Sequence, residues 1–349
     1  MNETAPSTPL EVRQIVKDIL ETIERERERE IIARRFGLYD RKETLEQIGE
    51  LLGITRERVR QLEKAIMIRL KVAAERDLPH ITIVEKHFIR HLHEMGRVAR
   101  ISDLAARVCA EEEQNDCDKA HVAFLATLAP NLAIIEENDH YHHAVGIAEH
   151  HDEKQIKAYV DEIVALIKDH GEPLTLEELH DKLKHEHPEH VRALASVSKH
   201  LAHLKNNWGL AKWPRVNPKN IRDKIYVILG DKGKPMHFEE IAKAIRDSDF
   251  KRKDVTTQAI HNELIKDSRF VLIGRGIYAL KEWGYKKGTV ADIIADVLKK
   301  ADEPLHRDEI VRRVLQHRHV KETTILLNLQ GKPQFKRVAK ATYTLADEA

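Results

Sequence analysis

The sequence has few cysteines, few aromatic residues and no long apolar segment. It contains 349 residues, of which two are cysteine and 5% are aromatic. The two cysteines, Cys109 and Cys117, cannot form a disulfide framework, which is typical of a protein in a reducing cytoplasm. So few aromatic residues favour several small helical cores over one large β-sandwich. Because no stretch approaches the ~18 apolar residues of a transmembrane helix, a membrane partner is not expected.

Signals for targeting, catalysis and metal binding are also missing from the sequence. Residues 1–10 have neither the basic nor the apolar part of a secretory signal, and we expect them to form a disordered tail. The sequence contains no phosphate-binding loop, nucleophile elbow or zincin motif. The cysteines and the many histidines around residues 140–190 lack the spacing of a zinc site. We therefore expect no catalytic residues, no metal, no cofactor and no small-molecule substrate.

The charged residues, in contrast, are abundant and segregated by sign. The formal net charge of the whole chain is only +1. Residues 101–190 contain 21 acidic and 7 basic residues, a net charge of −14, whereas residues 191–290 contain 21 basic and 10 acidic residues, a net charge of +11. The basic segment is suited to a polyanionic partner and the acidic segment is not, unless both are simply solvated surfaces.

The N-terminal sequence has the pattern of two short helices joined by a tight turn. Thr44 and Thr55 are suited to cap the two helices, and Gly53 permits the turn between them. The apolar sides are formed by Leu45, Ile48 and Leu51 in the first helix and by Val59, Leu62 and Ile66 in the second. The opposite face of the second helix, near its N-terminus, carries Arg56, Glu57, Arg60 and Gln61.

These four polar residues are of the types that read base edges in the major groove of DNA. Arginine can pair bidentately with guanine and glutamine with adenine, and glutamate can accept a hydrogen bond from cytosine. A recognition helix presents such residues near its N-terminus. The pattern therefore predicts a helix-turn-helix that binds double-stranded DNA, with a solvated charged helix face as the alternative.

Three further stretches accompany this pattern: Arg27-Glu28, Arg35-Phe36-Gly37-Leu38 and the run from Thr55 to Ala65. With them, residues 20–75 resemble region 4 of the sigma-70 family of transcription initiation factors. The resemblance implies that Arg56, Glu57, Arg60 and Gln61 read a −35-type promoter element. It also implies that Arg35, Thr44, Arg58 and Lys64 lie on or near phosphates. The apolar surface around Phe36 and Leu38 would either dock the flap of RNA polymerase core or form ordinary core.

The sequence departs from that family in one respect. A full sigma factor carries an upstream region that binds the −10 element and opens DNA. Here only about 20 residues precede the motif, and no basic, aromatic-rich helix occurs elsewhere to hold flipped bases. We therefore expect that the chain does not initiate transcription by itself.

Beyond residue 80 a short motif recurs four times, starting at Gly96, Gly171, Gly233 and Asp302. In each copy the third residue precedes an apolar helix residue by six positions, and a further helix and a β-prone aromatic segment follow. The aromatic residues are Tyr141, Trp213, Tyr278 and Tyr343. Helix, turn, two helices and a strand pair is the order of a winged helix.

The fold class expected from these patterns is mainly α, with an N-terminal helix-turn-helix followed by about four tandem winged-helix (α+β) units. The predicted segments are a tail at 1–10, the helix-turn-helix at 11–78, a divergent winged helix at 80–150, an acidic, His-rich one at 154–217, a third at 218–286 and a fourth at 288–349.

The third unit contains the run Gly233 to Ile241, then Asp267-Ser268-Arg269-Phe270-Val271 and the run Gly274 to Gly284. With these, residues 219–285 resemble the HARE-type helix-turn-helix, a winged module also found in the RNA polymerase delta subunit. The resemblance implies a role in transcription or DNA recognition, although that family also includes protein-binding modules. A second DNA surface is expected from Lys251, Arg252, Lys253, His261, Asn262 and Arg275. A weaker basic patch is expected from Arg312, Arg313, His317, Arg318 and His319.

The patterns predict a cytoplasmic, nucleoid-associated transcription factor that recognises −35-like promoter DNA and acts with RNA polymerase core in initiation or its regulation. Two alternatives remain open at this point. The chain could be a polymerase-independent, sequence-specific repressor, or a protein-interaction scaffold with a single DNA-binding end.

Overall fold

The computed structural model describes residues 10–76, 78–110, 118–184, 187–250, 254–285 and 287–346. Over these residues the chain is mainly helical and has four small antiparallel sheets, in agreement with the predicted fold class. The chain divides into two compact units, Met1–Lys212 and Trp213–Ala349. Within the described residues, no helix has the length and apolar character needed to cross a membrane.

The first unit begins with α1 (Val12–Glu21), α2 (Glu26–Phe36), α3 (Leu45–Leu52) and α4 (Arg56–Ala74). The last two are the helices of the predicted helix-turn-helix. Thr44 and Thr55 cap them as expected, because each hydroxyl accepts a hydrogen bond from the backbone N–H three residues on, at 3.3 and 3.2 Å. Gly53 between them has a φ of 66°, a left-handed conformation that favours glycine.

The apolar sides of these two helices agree with the prediction except at Leu51. Ile48 and Val59 are fully buried together with Ile31 of α2. Leu51 is 54% exposed, so its prediction as a core residue was wrong. Leu52 packs into this cluster in its place, because it lies four residues after Ile48 and therefore on the same face of α3.

Four repeats of one topology follow, and each consists of a helix, a short strand, two more helices and a two-stranded hairpin, called the wing here. Repeat 1 contains α5 (Ile81–Glu94), β1 (Val98–Arg100), α6 (Ile101–Ala110), α7 (Lys119–Leu128), β2 (Leu132–Ile135) and β3 (Ala144–Ile147). Repeat 2 contains α8 (Glu153–His170), β4 (Leu174–Thr175), α9 (Leu176–Leu183), α10 (Pro188–Val197), β5 (Leu201–Leu204) and β6 (Asn207–Leu210).

The second unit holds the other two repeats. Repeat 3 contains α11 (Ile221–Lys232), β7 (Met236–His237), α12 (Phe238–Arg246), α13 (Thr257–Lys266), β8 (Phe270–Gly274) and β9 (Ile277–Leu280). Repeat 4 contains α14 (Val290–Ala301), β10 (Leu305–His306), α15 (Arg307–Leu315), α16 (Glu322–Gly331), β11 (Phe335–Ala339) and β12 (Thr342–Leu345). In every repeat the third strand lies between the first and the second. This arrangement is consistent with the four predicted winged-helix units.

A left-handed residue lies at the end of the first helix of every repeat. Gly96, Gly171, Gly233 and Asp302 have φ angles of 91°, 82°, 61° and 53°. They are also the first residues of the four sequence copies. The backbone therefore supports the alignment of the copies, and the one non-glycine residue among them carries the steric cost of a left-handed conformation.

The predicted closing aromatic residues are correct in repeats 3 and 4 and wrong in repeats 1 and 2. Tyr278 and Tyr343 lie in the third strand, opposite the first strand. The equivalent positions of repeats 1 and 2 are Val145, opposite Ala99, and Trp208, opposite Leu174, rather than Tyr141 and Trp213. In repeat 1 the error arises because eight residues join the wing strands, whereas two join them in each of the other repeats. In repeat 2 it arises because only four residues join the second and third helices, compared with ten in repeat 3.

One hydrophobic core joins the N-terminal helices to repeat 1. Buried side chains of α1, α2 and α4 pack with those of α5, α6 and α7 in a cluster that extends from Leu10 to Ile147. Phe36 of α2 contacts Phe124 of α7 edge to face, with ring centroids 5.0 Å apart. The predicted boundary between residues 78 and 80 thus falls within a single core.

Repeats 1 and 2 are also joined closely. The backbone N–H of His142 donates to the carbonyl of Val197, and that of Lys199 donates to the carbonyl of His140, both at 2.8 Å. The hydroxyl of Tyr141 donates to the carboxylate of Asp161 at 2.8 Å. These bonds tie the wing of repeat 1 to two helices of repeat 2.

A disulfide lies at the end of α6. Cys109 is disulfide-bonded, and its side chain packs against the core of the first unit. This bond runs against the expectation of a reducing environment that the low cysteine count suggested. Cys117 lies outside the described residues.

Candidate nucleic-acid interface

The N-terminal half of α4 presents the four predicted base-reading residues on one exposed face. Val59 and Ile66 are buried on the inner side of the helix. The side chains on the outer side are exposed, and they belong to Arg56, Glu57, Arg60 and Gln61. The structure therefore brings these residues together in the first two turns of the helix.

Glu57 holds its two neighbours on this face. The guanidinium of Arg60 donates two hydrogen bonds to the Glu57 carboxylate, at 2.7 and 2.8 Å. The Gln61 amide donates to the same carboxylate at 3.3 Å. The hydrogen bond from Arg60 lowers the pKa of Glu57 to about 2, and the pKa of Arg60 is raised. Glu57 is therefore ionised at physiological pH, and its carboxylate engages the side chains of both neighbours in the free protein.

Of the residues predicted to contact phosphates, some have exposed side chains and others are bonded to groups of the chain itself. Lys64 and Arg58 are exposed on α4, and Arg58 donates to Gln61 at 3.4 Å. Thr44 is exposed at the start of α3, where its side chain is engaged in the cap. Arg35 is half-buried and paired with Glu63 at 3.1 Å, so it connects α2 to α4.

An ion pair with a buried carboxylate and an exposed guanidinium joins the same two helices, and the sequence does not reveal it. By its sequence alone, the run of alternating charges at residues 24–30 indicates a solvated helix face. Glu28 within it is only 8% exposed and pairs with Arg69 of α4. Arg25 approaches the same carboxylate at 3.5 Å. Because the partner lies 41 residues away in the sequence, local spacing gives no signal for this pair.

Repeat 1 covers the apolar surface that could have docked RNA polymerase. Leu38 is 5% exposed, and Phe36 is partly buried against the core. The ring of Phe124 from α7 occupies the side of Phe36 that faces this core. The structure thus favours the interpretation of these residues as core of the chain itself.

The third helix is buried in repeats 1 and 2 and open in repeats 3 and 4. The buried residues of α7 are His121, Val122, Phe124, Leu125, Ala126 and Leu128, and those of α10 are His190, Val191, Ala193, Leu194, Ala195 and Val197. In α13 only Ile260 and Leu264 are buried, and in α16 only Ile325 and Leu329. The helix α7 contacts α1, α2 and α4, and α10 contacts β1. Neither is open to a DNA groove.

The residues of the expected second DNA surface are not all equally available. Asn262 is exposed on α13, and Arg275 is exposed at the turn of the wing. His261 packs beside the rings of Phe238 and Tyr278, at centroid distances of 5.0 and 6.2 Å. Lys251, Arg252 and Lys253 lie outside the described residues.

The expected weaker patch of repeat 4 is largely engaged within the chain. Arg312 and Arg313 both pair with Glu309, at 2.7 and 2.6 Å, and the hydrogen bonds from them lower the pKa of Glu309 to about 2. Arg318 donates to the carbonyl of Leu272 in the wing of repeat 3. Burial lowers the pKa of Arg318.

No arrangement of His, Cys, Asp or Glu side chains able to hold a metal ion occurs in the part of the chain that the structure describes. The histidines around residues 140–200 instead pack against one another and against aromatic rings, as His140 does against His200 and His151 against Tyr159.

A capped helix-turn-helix with an exposed polar recognition face defines a DNA-binding domain, and comparison with known proteins gives its kind. Residues 25–72 match the family model "Sigma-70, region 4". The RNA polymerase sigma factor SigA of a Bacillus species is 41% identical over 61 residues, which is 17% of this chain and 16% of that protein. A sigma-70 region 4 domain is therefore present, and the chain spans only a small part of this relative's length. The match does not extend to residues 219–285, where the HARE-type resemblance stays a prediction.

Proposed function

We propose that the chain is a transcription factor that recognises −35-like promoter DNA through α4 and acts with RNA polymerase core in initiation or its regulation. The observation that supports this most is the exposed face of Arg56, Glu57, Arg60 and Gln61 on a sigma-70 region 4 domain. Arg58 and Lys64 flank this face and reach phosphates in the proposed complex.

Selection of bound duplexes from a randomised pool tests DNA recognition. We expect the full chain to enrich one short consensus, and the Arg60→Ala/Gln61→Ala variant to enrich none. Lys71→Ala is the matched control, because Lys71 is exposed on the last turn of the same helix. A consensus that survives in the double variant would contradict base reading by α4.

The partnership with RNA polymerase is tested separately, by co-elution of the full chain with purified core enzyme. The covered surface at Phe36 and Leu38 favours a second candidate, a polymerase-independent sequence-specific regulator. Selection of a consensus without co-elution would support this second candidate and contradict the first.

For the repeats we propose unequal roles. Repeats 1 and 2 have buried third helices and support the DNA-binding end of the first unit. Repeat 3, whose sequence resembles a HARE-type module, offers Asn262 and Arg275 to a DNA partner, together with the basic run at 251–253.

A further inference from the structure

The wings of the four repeats differ sharply in charge. The residues that join the wing strands of repeat 1 include Glu136, Glu137 and Asp139. The turn of repeat 2 carries one cation, Lys205, and the turn of repeat 3 carries one, Arg275. The turn of repeat 4 likewise carries one cation, Lys340. Repeat 4 differs in its strand β11, which carries Lys336 and Arg337, and in Lys332 three residues before that strand, because the wing strands of the other repeats contain no Lys or Arg. We call these four cations of repeat 4 the basic wing.

The basic wing is exposed and its charges are not neutralised within the described part of the chain. All four side chains are exposed. No ion pair joins any of them to an acidic residue among the described residues, and the sequence from 323 to 346 contains no Asp or Glu. Uncompensated positive charge of this density is suited to a polyanion.

The strands that carry these charges are anchored firmly. Phe335 at the start of β11 and Tyr343 in β12 are buried in the core of repeat 4. The guanidinium of Arg337 donates to the carbonyl of Ala339 at 3.1 Å, across the irregularity in β11. Lys336 and Lys340 therefore project from a fixed hairpin, and Lys332 projects from the end of α16 just before it.

The other cations of repeat 4 make a useful contrast. Arg312 and Arg313 are paired with Glu309, and Arg318 is bonded to a carbonyl. The arginines of the patch that the sequence suggested are thus engaged internally, whereas the cations of the basic wing are not paired with acidic residues in the described part of the chain.

We propose that the basic wing binds the phosphate backbone of double-stranded DNA, as a sequence-independent site additional to α4. This inference rests on the proposed DNA-binding function. Each phosphate that a cation neutralises releases counterions, and this makes the affinity depend on salt. The basic wing contributes affinity on any sequence, whereas α4 contributes sequence choice.

The test compares two double variants of the full chain on a random-sequence duplex over a range of salt concentrations. Lys336→Ala/Lys340→Ala removes two wing charges, and Lys299→Ala/Lys300→Ala removes two exposed lysines of α14 in the same repeat. We expect the slope of log affinity against log salt to fall by about 2 for the wing variant and to be unchanged for the control. Circular dichroism confirms that both variants are folded.

An unchanged slope for the wing variant, or an equal fall for both variants, would overturn the proposal. Wing-dependent binding that is tighter to single-stranded RNA than to duplex DNA would also overturn it. The proposed function is tested by a different experiment. A consensus that persists in the Arg60→Ala/Gln61→Ala variant would contradict base reading by α4 but would not affect the conclusion about the basic wing. Absence of any duplex binding by the wild-type chain contradicts both.

Discussion

Glu57 lies beside Arg60 and Gln61 on the exposed face of α4, and its role in the proposed DNA binding can be tested. In the free protein its carboxylate holds both Arg60 and Gln61. We expect Glu57→Gln to tighten binding to a random-sequence duplex several-fold, because a negative charge facing the phosphates is removed and Arg60 is released. Binding titrations on random and selected duplexes measure the effect.

The low pKa of the Glu57 carboxylate predicts how the effect of Glu57→Gln on DNA affinity depends on pH. Because the pKa of Glu57 is about 2, its charge does not change between pH 5 and 8. The ratio of affinities between wild type and Glu57→Gln should therefore be constant over that range. A ratio that falls towards 1 at pH 5 would show that Glu57 titrates there and that the Arg60 contact is weaker than described.

Asp302 adopts a left-handed backbone conformation that is costly for a residue with a side chain. It adopts a φ of 53°, where the other three repeats have glycine. We expect Asp302→Gly to stabilise the second unit by up to about 1 kcal/mol, because glycine adopts this conformation without a steric cost. Gly171→Ala is the matched reverse change: a β-carbon there meets no neighbour within 4 Å, so its expected cost of about 1 kcal/mol is conformational. Thermal unfolding of both variants measures whether each change stabilises or destabilises the protein. A destabilised Asp302→Gly variant would contradict the steric cost inferred for Asp302.

The contact between the wing of repeat 1 and α8 depends on Tyr141. Burial, reinforced by the bond to Asp161, raises the pKa of Tyr141 to about 12, above its usual value near 10. The neutral hydroxyl therefore contributes stability that is fully present below pH 10 and is lost between pH 10 and about 12. We expect Tyr141→Phe to cost about 1 kcal/mol at pH 7 and to remove this alkaline decline. Unfolding of both proteins from pH 7 to 11 is the measurement, and identical pH profiles would argue against the bond.

The sequence predicts those elements whose signals are local. The caps of α3 and α4, the polar face of α4 and the left-handed turns of the repeats all follow from residues within a few positions of one another. The position of the third strand in repeats 1 and 2 does not, because it depends on the number of residues that join the wing strands and on the number that join the two helices before them. Two contacts join residues far apart in the sequence: Glu28 pairs with Arg69, 41 residues away, and Phe124 packs on Phe36, 88 residues away. Only the folded chain reveals such contacts.

At the scale of the whole molecule, the two compact units predict how the chain is cleaved. Residues 213–220 contain no α-helix or β-strand, and three basic residues, Lys212, Arg215 and Lys219, are exposed in and beside them. We expect limited trypsin digestion to cut there first and to leave two resistant fragments. First cleavage between repeats 1 and 2, near residues 148–154, would contradict the close joining of those repeats.

Reading of base edges by α4 is the central claim, and it is tested most directly by pairing protein variants with base-substituted duplexes. Full-length wild type, Arg60→Ala and the control Lys71→Ala are titrated with the selected duplex and with every single-base change of it. If Arg60 reads a base, Arg60→Ala should lose roughly 5- to 150-fold in affinity for the selected duplex and become indifferent to one base position, while the control keeps the wild-type preferences. An equal loss on every duplex would contradict base reading, because Arg60 would then act only through its charge.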